Sequence, residues 1–354
     1  MKRHIILSLL AVASVAIAHA QYKINGNVPD LPDGTMYLEI RGKKVDSAKV
    51  ERNCFTLVGK QELEAPEHVV VCHSNKGWRC KFWMCNDHVD ITTANGKPVV
   101  KGSKTQDEYE EFQRTLEPVW NYGYQLKEQM KDVSKADSIM HIVETVFKEK
   151  SDSAFMVFAR NNPSSYIALN YICNKRGKDK YPFSKYSEMA RILTPGAFKG
   201  KQWSMFQDIY KKDEALEPGQ KMPPFVMDDL YGKPIDIAAM KGKYVLLTIS
   251  SSGMEDYDND LPLRKRLYDK LSKQGLEMVD YSLGNDEISI IKCPANMGLR
   301  WHFVTDFKGF RGPWLEEHAI DYITQNFLID RNGTIIGRNL FGKDLEREIN
   351  KLFN

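Results

Sequence analysis

A run of residues at positions 245–249 that is apolar except for Thr248 restricts the fold of this chain more than any other sequence feature. Such a run is typical of a strand in the middle of a sheet that is covered on both faces. The chain has the material for this core, because hydrophobic residues make up 42% and charged residues 27% of its 354 residues. The run therefore predicts an α/β domain in the last third of the chain.

The segments that follow this strand alternate between helical and strand patterns. A helical segment extends to about Lys273, a second strand is predicted at 276–281, and a helix-like stretch runs to about Met297. A strand at 327–329 then enters an Asn-Gly turn, which is a strong signal for a β-hairpin. The prediction is a β-α-β unit, a hairpin and a closing helix within a domain of residues 213–354.

Two different regions precede this domain. Residues 21–102 contain short alternating runs separated by turn formers such as Asp33 and Gly34, which predicts an antiparallel β domain. Residues 103–212 have helical patterns, and Pro163 separates two of the helices because proline fits the first turn of a helix but not its interior. We interpret this second region as a helical connector.

The first twenty residues have the parts of a secretory signal peptide, residues 1–20. A basic start precedes an apolar run at 5–17, and an Ala-His-Ala cleavage site ends at Ala20. The run is too short to cross a hydrocarbon core of about 30 Å. Gln21 follows the cleavage site, so the cysteine of a lipid-anchored form is missing. We expect cleavage after Ala20, no transmembrane segment in the mature chain, and export to the periplasm or cell envelope.

The charge balance excludes one class of partner. The formal net charge is only +3, from 50 basic and 47 acidic residues. The sequence has no long basic run and no basic stripe interleaved with aromatic residues, which nucleic-acid binding favours. We therefore predict no nucleic-acid partner.

Three stretches of the last third occur in a distinctive order: residues 219–233, 241–247 and 327–333. They contain Gly-x-x-x-Pro-x-Phe with Asp-x-x-Gly-Lys, then Lys-Gly-Lys-x-Val-Leu-Leu, then Phe-Leu-Ile-Asp-x-x-Gly. In this order they resemble the periplasmic thioredoxin-like family of thiol–disulfide oxidoreductases, which shades into the peroxiredoxins. The resemblance implies a thioredoxin-like fold for the last domain. It also implies a redox site at the end of the central strand.

The N-terminal part has a resemblance of its own. Residues 24–28, 33–35 and 46–50 resemble a β-rich domain of unknown function that often precedes thioredoxin-like domains in envelope proteins. The predicted fold class is thus an α/β thioredoxin-like C-terminal domain, preceded by an antiparallel β domain and a helical connector.

The expected redox motif is missing. In the family, the central strand runs into Trp-x-x-Trp-Cys-x-x-Cys and a helix with a proline. Counting without a gap to Pro262 places the two cysteine positions at Met254 and Tyr257, and no C-x-x-C occurs elsewhere in the chain. The family chemistry needs a thiolate, stabilised at a helix N-terminus, that attacks a substrate disulfide. A thioether and a phenol cannot do this, so we predict no catalytic residue at this site.

A second family feature is also replaced. The resemblance places a cis proline before the 327–329 strand, facing the cysteine pair, and here this position is Thr324. A cis bond before a residue other than proline costs about 2.5–4 kcal/mol. We therefore predict a trans bond between Ile323 and Thr324 and a reshaped groove.

Three acidic residues follow Met254: Asp256, Asp258 and Asp260. Their spacing is like the start of a calcium loop, but position six is Leu261 instead of glycine. Carboxylates at a helix N-terminus also have a structural explanation, because they interact favourably with its backbone dipoles. We favour the structural role and keep divalent-cation binding as the alternative.

The six cysteines have to be interpreted for an oxidising compartment, which favours disulfides over zinc. They are Cys54, Cys72, Cys80, Cys85, Cys173 and Cys293. A three-residue hairpin loop that ends at Gly77 would place Cys72 opposite Cys80. A Cys72–Cys80 disulfide is one possibility, and two buried free thiols are the other.

The function predicted from the sequence is binding or scaffolding in the cell envelope by a thioredoxin-fold protein that is redox-inactive at the usual site. The partner would be an unidentified envelope protein or small ligand, and no cofactor is expected. The alternative is a thiol–disulfide oxidoreductase that uses atypical cysteines.

Overall fold

The computed structural model describes residues 21–75, 77–129, 146–177, 181–194, 201–251, 253–284 and 286–353. The predicted signal peptide lies outside the described residues. The chain divides into two compact units, one through Asn174 with Tyr186–Ser204, the other of Lys175–Lys185 and Met205–Asn354. Within the part of the chain that is described, every helix falls short of the length and apolarity that a membrane crossing requires.

The first unit begins with strands that form two four-stranded sheets. The strands are β1 Tyr22–Asn27, β2 Gly34–Ile40, β3 Lys43–Val50, β4 Cys54–Gly59, β5 Glu67–His73, β6 Arg79–Met84, β7 His88–Ala94 and β8 Lys97–Lys101. Their orders are β4-β1-β7-β8 and β3-β2-β5-β6. All pairs are antiparallel except β1 with β7, which is parallel and departs from the prediction. Alternate side chains such as Ile24, Leu38 and Phe82 form one buried core.

Helices follow this β domain, as predicted. Their bounds are α1 Lys104–Gln129, α2 Lys148–Asn161, α3 Tyr166–Gly177, α4 Phe183–Ala190 and α5 Lys201–Glu214. Pro163 lies between α2 and α3, which confirms the predicted break. Phe112 of α1 packs against Phe155 of α2, with ring centroids 6.2 Å apart, and Phe155 stacks on Tyr171 of α3 at 4.4 Å. These aromatic contacts pack α1, α2 and α3 against one another.

The second unit has a thioredoxin-like fold. Its strands are β9 Val226–Asp228, β10 Pro234–Asp236, β11 Tyr244–Ser250, β12 Leu276–Ser282, β13 His302–Val304, β14 Gln325–Ile329 and β15 Ile335–Arg338. Its helices are α6 Glu255–Leu271, α7 Glu287–Asn296, α8 Pro313–Glu317 and α9 Gly342–Phe353. The main sheet has the order β13-β12-β11-β14-β15. In it β12 is parallel to β11 and to β13, β14 is antiparallel to β11, and β15 is antiparallel to β14. The sequence prediction missed β13 and α8, which are short.

The central strand β11 is buried on both faces, as its apolar run predicts. Leu247 and Ile249 belong to the core that includes Phe225 on one face of the sheet. Leu246 points to the other face, where α6 and α9 contribute Leu267 and Ile349. Residues that follow β11, β12 and β13 therefore meet at the carboxyl edge of three parallel strands, where α/β sheets commonly bind ligands.

Candidate functional site

Met254 occupies the first degenerate motif position, at the N-cap of α6. Its carbonyl oxygen accepts a hydrogen bond of 2.9 Å from the Asp258 N–H, and its side chain makes no capping bond. A thiol here would gain from the positive end of the helix, which lowers a thiol pKa. The thioether of Met254 has no proton to lose, so the helix N-terminus cannot generate a nucleophilic thiolate at this position.

Tyr257 occupies the second motif position and is buried, with 4% of its surface exposed. Its hydroxyl donates a hydrogen bond of 2.7 Å to Asp280 Oδ2 on β12. Burial, and then the charge of Asp280, raise the pKa of the phenol well above its usual value of 10.0. The side chain is therefore a neutral hydrogen-bond donor that fills the place of the second thiol.

Asp280 is the centre of a buried polar cluster, which we call the Asp280 cluster: Tyr257, Arg264, Asp280 and Trp301. Arg264 forms an ion pair with Asp280, and Trp301 Nε1 donates a hydrogen bond of 2.8 Å to it. The guanidinium lies 5.0 Å from the Tyr257 ring centroid and 5.1 Å from that of Trp301. A buried charge needs such partners, because an unpaired one is strongly destabilising. The cluster is thus a buried, paired structural feature beside the predicted motif positions.

Thr324 directly precedes β14. The predicted trans bond between Ile323 and Thr324 is wrong. The Ile323–Thr324 bond is cis. The predicted trans bond followed from the intrinsic preference of an unconstrained chain, whereas the segment here is buried and held by its neighbours. Thr324 Oγ1 lies 2.9 Å from Ser250 Oγ at the end of β11, and either hydroxyl can donate.

A small cavity lies behind the motif. It has a volume of about 10 Å³ and its lining includes Ser250, Tyr257, Asp280 and Cys293. This space suits about one water molecule and excludes a substrate. Cys293, on α7, is buried and its Sγ donates to Met297 Sδ at 3.2 Å. It is the single cysteine in the second unit, so the motif region has no second thiol within its own unit.

Of the two alternatives for Cys72 and Cys80, the structure has two buried thiols instead of a disulfide, because the hairpin register differs from the expected one. Cys72 pairs with Arg79, and Cys80 pairs with Val71. A shift of one residue turns a side chain to the other face of a sheet, so the two thiols point in opposite directions. All six cysteines are thiols in this structure. The loop is longer than predicted, because the His73 N–H bonds to the Trp78 carbonyl.

The environments of these two thiols also oppose redox chemistry. Cys80 is in the β-domain core, and burial raises its pKa to about 12. Burial and a hydrogen bond to Glu39 raise the pKa of Cys72 as well. A reactive cysteine needs a lowered pKa, because the thiolate is the nucleophile.

The acidic trio lies on the first turns of α6, not in a loop. Asp258 is exposed, whereas Asp260 is buried and accepts a hydrogen bond of 2.8 Å from the Gly342 N–H. The side chain of Asp256 lies outside the described residues. Residues two apart on a helix point about 200° apart, so Asp258 and Asp260 cannot share an ion. Among the described residues, the structure has no group of three metal-ligating side chains.

Sequence reasoning missed a second buried ionic network in the second unit. Arg176, from the end of α3, donates hydrogen bonds of 2.5 Å to Asp213 and 2.7 Å to Asp321. Arg338 on β15 reaches Asp213 at 3.2 Å and Glu217 at 2.8 Å. Asp213 therefore bridges two arginines that are 125 and 37 positions away in sequence. Only the fold shows this arrangement, since charged residues so far apart in the chain form no local sequence pattern.

A larger cavity is at the opposite end of the sheet, away from the motif. Its volume is about 210 Å³, and it lies between Val245, at the start of β11, and Ile329, at the end of β14. Met222 and Met240 also line it. Its lining is mainly apolar, with Lys221, Lys241 and Asp330 among the polar residues.

Comparisons with known proteins agree with this two-part description. A family model described as a domain of unknown function, DUF4369, matches residues 22–109. Thiol-disulfide oxidoreductase ResA of Bacillus cereus is 27% identical over 134 residues, covering 38% of this chain and 76% of ResA. ResA of Bacillus subtilis is 23% identical over 134 residues, covering 38% of this chain and 73% of that protein.

Two solved structures are also similar to part of the chain. One is the C-terminal domain of a thiol-disulfide oxidoreductase from Bacteroides thetaiotaomicron, with 25% identity, a TM-score of 0.36, and coverage of 38% of this chain and 95% of that domain. The other is the thioredoxin domain of a thiol-disulfide oxidoreductase from Bacteroides vulgatus. It has 25% identity and a TM-score of 0.37, with coverage of 39% of this chain and 99% of that one.

Proposed function

We propose that this chain, a thioredoxin-like protein with an N-terminal β domain, is an exported binding protein whose thioredoxin-like domain has no activity at the usual redox site. One observation carries the proposal: the second thiol position holds Tyr257, and its hydroxyl is bonded to the buried Asp280. A binding role uses the surface of the fold and does not need the thiols.

The environment of the motif supports loss of activity beyond the two substitutions. Thiol–disulfide exchange passes through a mixed disulfide, so a second sulfur must be able to reach the first. Cys293 is buried and contacts Met297, and the second unit contains no further cysteine. A thiol restored at position 254 alone would therefore have no resolving partner in the motif.

Reduction of insulin by dithiothreitol, followed as turbidity, tests this proposal. We expect the mature chain, residues 21–354, to leave the rate unchanged, with an active thioredoxin as the positive control. Acceleration comparable to that control would contradict it. The double variant Met254→Cys/Tyr257→Cys is the matched comparison, because it restores both thiols at the N-terminus of α6. Acceleration by this variant would show that the remainder of the site still accepts redox chemistry.

The names of the relatives favour a second candidate, a thiol–disulfide oxidoreductase that uses other cysteines. ResA proteins are described as thiol-disulfide oxidoreductases. The same assay with Cys72→Ser, Cys80→Ser and Cys293→Ser tests this role. Activity in the parent chain that one of these variants abolishes would support the second candidate. Activity that all three retain would exclude these thiols.

Export and cleavage are separate parts of the proposal. The basic and apolar segments of residues 1–20 support them. Expression of the full chain in a Gram-negative host should give a periplasmic protein whose first residue, by N-terminal sequencing, is Gln21. An unprocessed chain that starts at Met1 in the cytoplasm would contradict export.

A further inference from the structure

The loop from Thr305 to Gly312 lies just beyond β13, at the carboxyl edge of the parallel strands. In open α/β sheets, ligands bind in the crevice outside the carboxyl ends of strands. The loop is part of no redox motif, and the sequence analysis did not single it out. Its neighbours across this edge are Leu283, after β12, and Ser250, at the end of β11.

Hydrogen bonds hold this loop in one conformation. Thr305 Oγ1 donates to the Ser282 carbonyl at 3.0 Å and accepts the Phe307 N–H at 3.1 Å. Asp306 Oδ1 accepts the Lys308 N–H at 3.0 Å. Phe307 has a φ of 58°, in the left-handed region that a bulky residue rarely adopts. Such conformations are unfavourable for a bulky residue and persist where the surroundings impose them, often at functional sites.

The fixed loop presents large apolar side chains to solvent. Phe307 is 38% exposed and Phe310 is 45% exposed. A groove of about 800 Å³ runs beside Phe310, between Leu283 and the loop. Apolar side chains that cluster on a fixed surface mark binding sites more often than single exposed ones do.

The groove is lined by positively charged side chains, which favours a negatively charged ligand. Lys308 and Arg311 line it, both are exposed, and neither forms an ion pair with any described residue. No carboxylate lines the groove, since its remaining lining residues are Leu283, Gly309 and Phe310. Arginine and aromatic residues are the side chains that contribute most to binding energy at protein interfaces. An occupant that complements this lining is negatively charged and carries a large apolar group.

We propose that this groove binds an extended acidic peptide segment, in which carboxylates flank an aromatic or large aliphatic side chain. The apolar side chain would lie on Leu283 and Phe310, and the carboxylates would pair with Lys308 and Arg311. The inference rests on the proposed function, since it names the partner class for the binding role.

Fluorescence polarisation with a labelled peptide tests the groove. The probe is fluorescein-labelled Glu-Asp-Phe-Asp-Glu, and its uncharged counterpart is Gln-Asn-Phe-Asn-Gln. The protein is the mature chain and its variants Lys308→Glu/Arg311→Glu and Phe310→Ser. Lys273→Glu is the matched control, because Lys273 is exposed in the turn before β12, at the other end of the sheet. Circular dichroism checks that every variant is folded.

We expect saturable binding of the acidic probe and binding that is weaker by about tenfold or more for its uncharged counterpart. The double charge reversal and Phe310→Ser should each weaken binding by a similar factor, and Lys273→Glu should not. Binding should also weaken at 0.5 M salt, because exposed charges are screened. Equal affinity in the charge-reversed variant, or no binding at all, would overturn the proposal. Binding to anionic phospholipid vesicles without binding to the peptide would overturn it as well.

The outcomes separate this proposal from the general one. If the peptide does not bind, the proposed peptide site is rejected, whereas the conclusion from the insulin assay is unaffected. If the parent chain accelerates insulin reduction, the proposal of a redox-inactive protein is rejected, whatever the result with the peptide.

Discussion

The hydroxyl of Tyr257, on α6, lies 2.7 Å from Asp280 Oδ2, on β12, although the two residues are 23 positions apart in the chain. This contact places a neutral phenol where the related oxidoreductases are expected to have their second thiol. Arg264 forms an ion pair with the same carboxylate, and Trp301 donates a hydrogen bond to it. Tyr257 is thus part of the buried core of the second unit.

The first prediction concerns that contact. Tyr257→Phe removes one hydrogen bond to a buried carboxylate and leaves the ring packing intact. A hydrogen bond to a charged group contributes about 1.5–3 kcal/mol. We expect a loss of that size in the free energy of unfolding, measured by urea denaturation. Tyr231→Phe is the control, because Tyr231 is 95% exposed. Equal effects of the two substitutions would contradict the assigned role of Tyr257.

The second prediction concerns the Arg264–Asp280 pair. Asp280→Leu leaves the buried guanidinium without its anion and should cost about 3–5 kcal/mol. Replacing both partners, as Arg264→Leu/Asp280→Leu, should recover part of that loss, because no unpaired charge remains. A double-mutant cycle measures the coupling. Additive losses would show that the two side chains do not depend on each other.

The third prediction concerns Asp213, which bridges Arg176 and Arg338. Asp213→Ala removes the anion from between two buried cations and should cost about 3–5 kcal/mol of unfolding free energy. The matched control on the same helix is Asp208→Ala, which breaks the exposed pair with Lys212. Surface pairs contribute about 0–1 kcal/mol, so this loss should be small. A similar loss for both variants would count against the buried network.

The fourth prediction concerns thiol reactivity. With a pKa of about 12, Cys80 should carry only about one part in ten thousand of thiolate at pH 8. Iodoacetamide under native conditions should therefore modify the exposed Cys54 long before the buried Cys80. Peptide mapping by mass spectrometry measures both rates. Labelling of Cys80 as fast as Cys54 would mean that the hairpin opens or that the register is wrong.

The fifth prediction gives the same thiol a pH dependence. The pKa of Cys80 is raised on folding from 9.0 to about 12, so the folded state holds its proton more tightly. Its contribution to stability is fully present below about pH 9 and is lost as the pH rises through about 12. Cys80→Ala should remove that part of the alkaline decline. Urea denaturation at pH 7, 9 and 10.5 compares the two chains, and parallel curves would exclude this linkage.

The elements with the strongest local signals could be predicted from the sequence. The apolar run at 245–249 predicted a central strand, and β11 is buried on both faces. The Asn332-Gly333 turn predicted the hairpin between β14 and β15. These signals depend on neighbouring residues, so they survive in almost any tertiary context. The strand β13 has three residues and too little pattern to be recognised.

The Cys72–Cys80 register and the Ile323–Thr324 isomer could not be predicted reliably. Both depend on packing and hydrogen bonds from residues that are distant in the chain, which a local pattern does not contain. A hairpin loop that is longer than expected moves every pair by one position. A local preference for the trans bond is outweighed where the segment is buried against Ser250.

The sequence alone determined that positions 254 and 257 have no thiols, because residue identity decides whether a side chain can exchange a disulfide. Tertiary structure alone decided what surrounds these positions, since the members of the Asp280 cluster are distant in the chain and meet only in the folded core. The same applies to the groove beside Phe310, whose lining converges from the ends of β12 and β13. Local patterns predict helices and strands, whereas burial and charge pairing depend on residues that are distant in the chain.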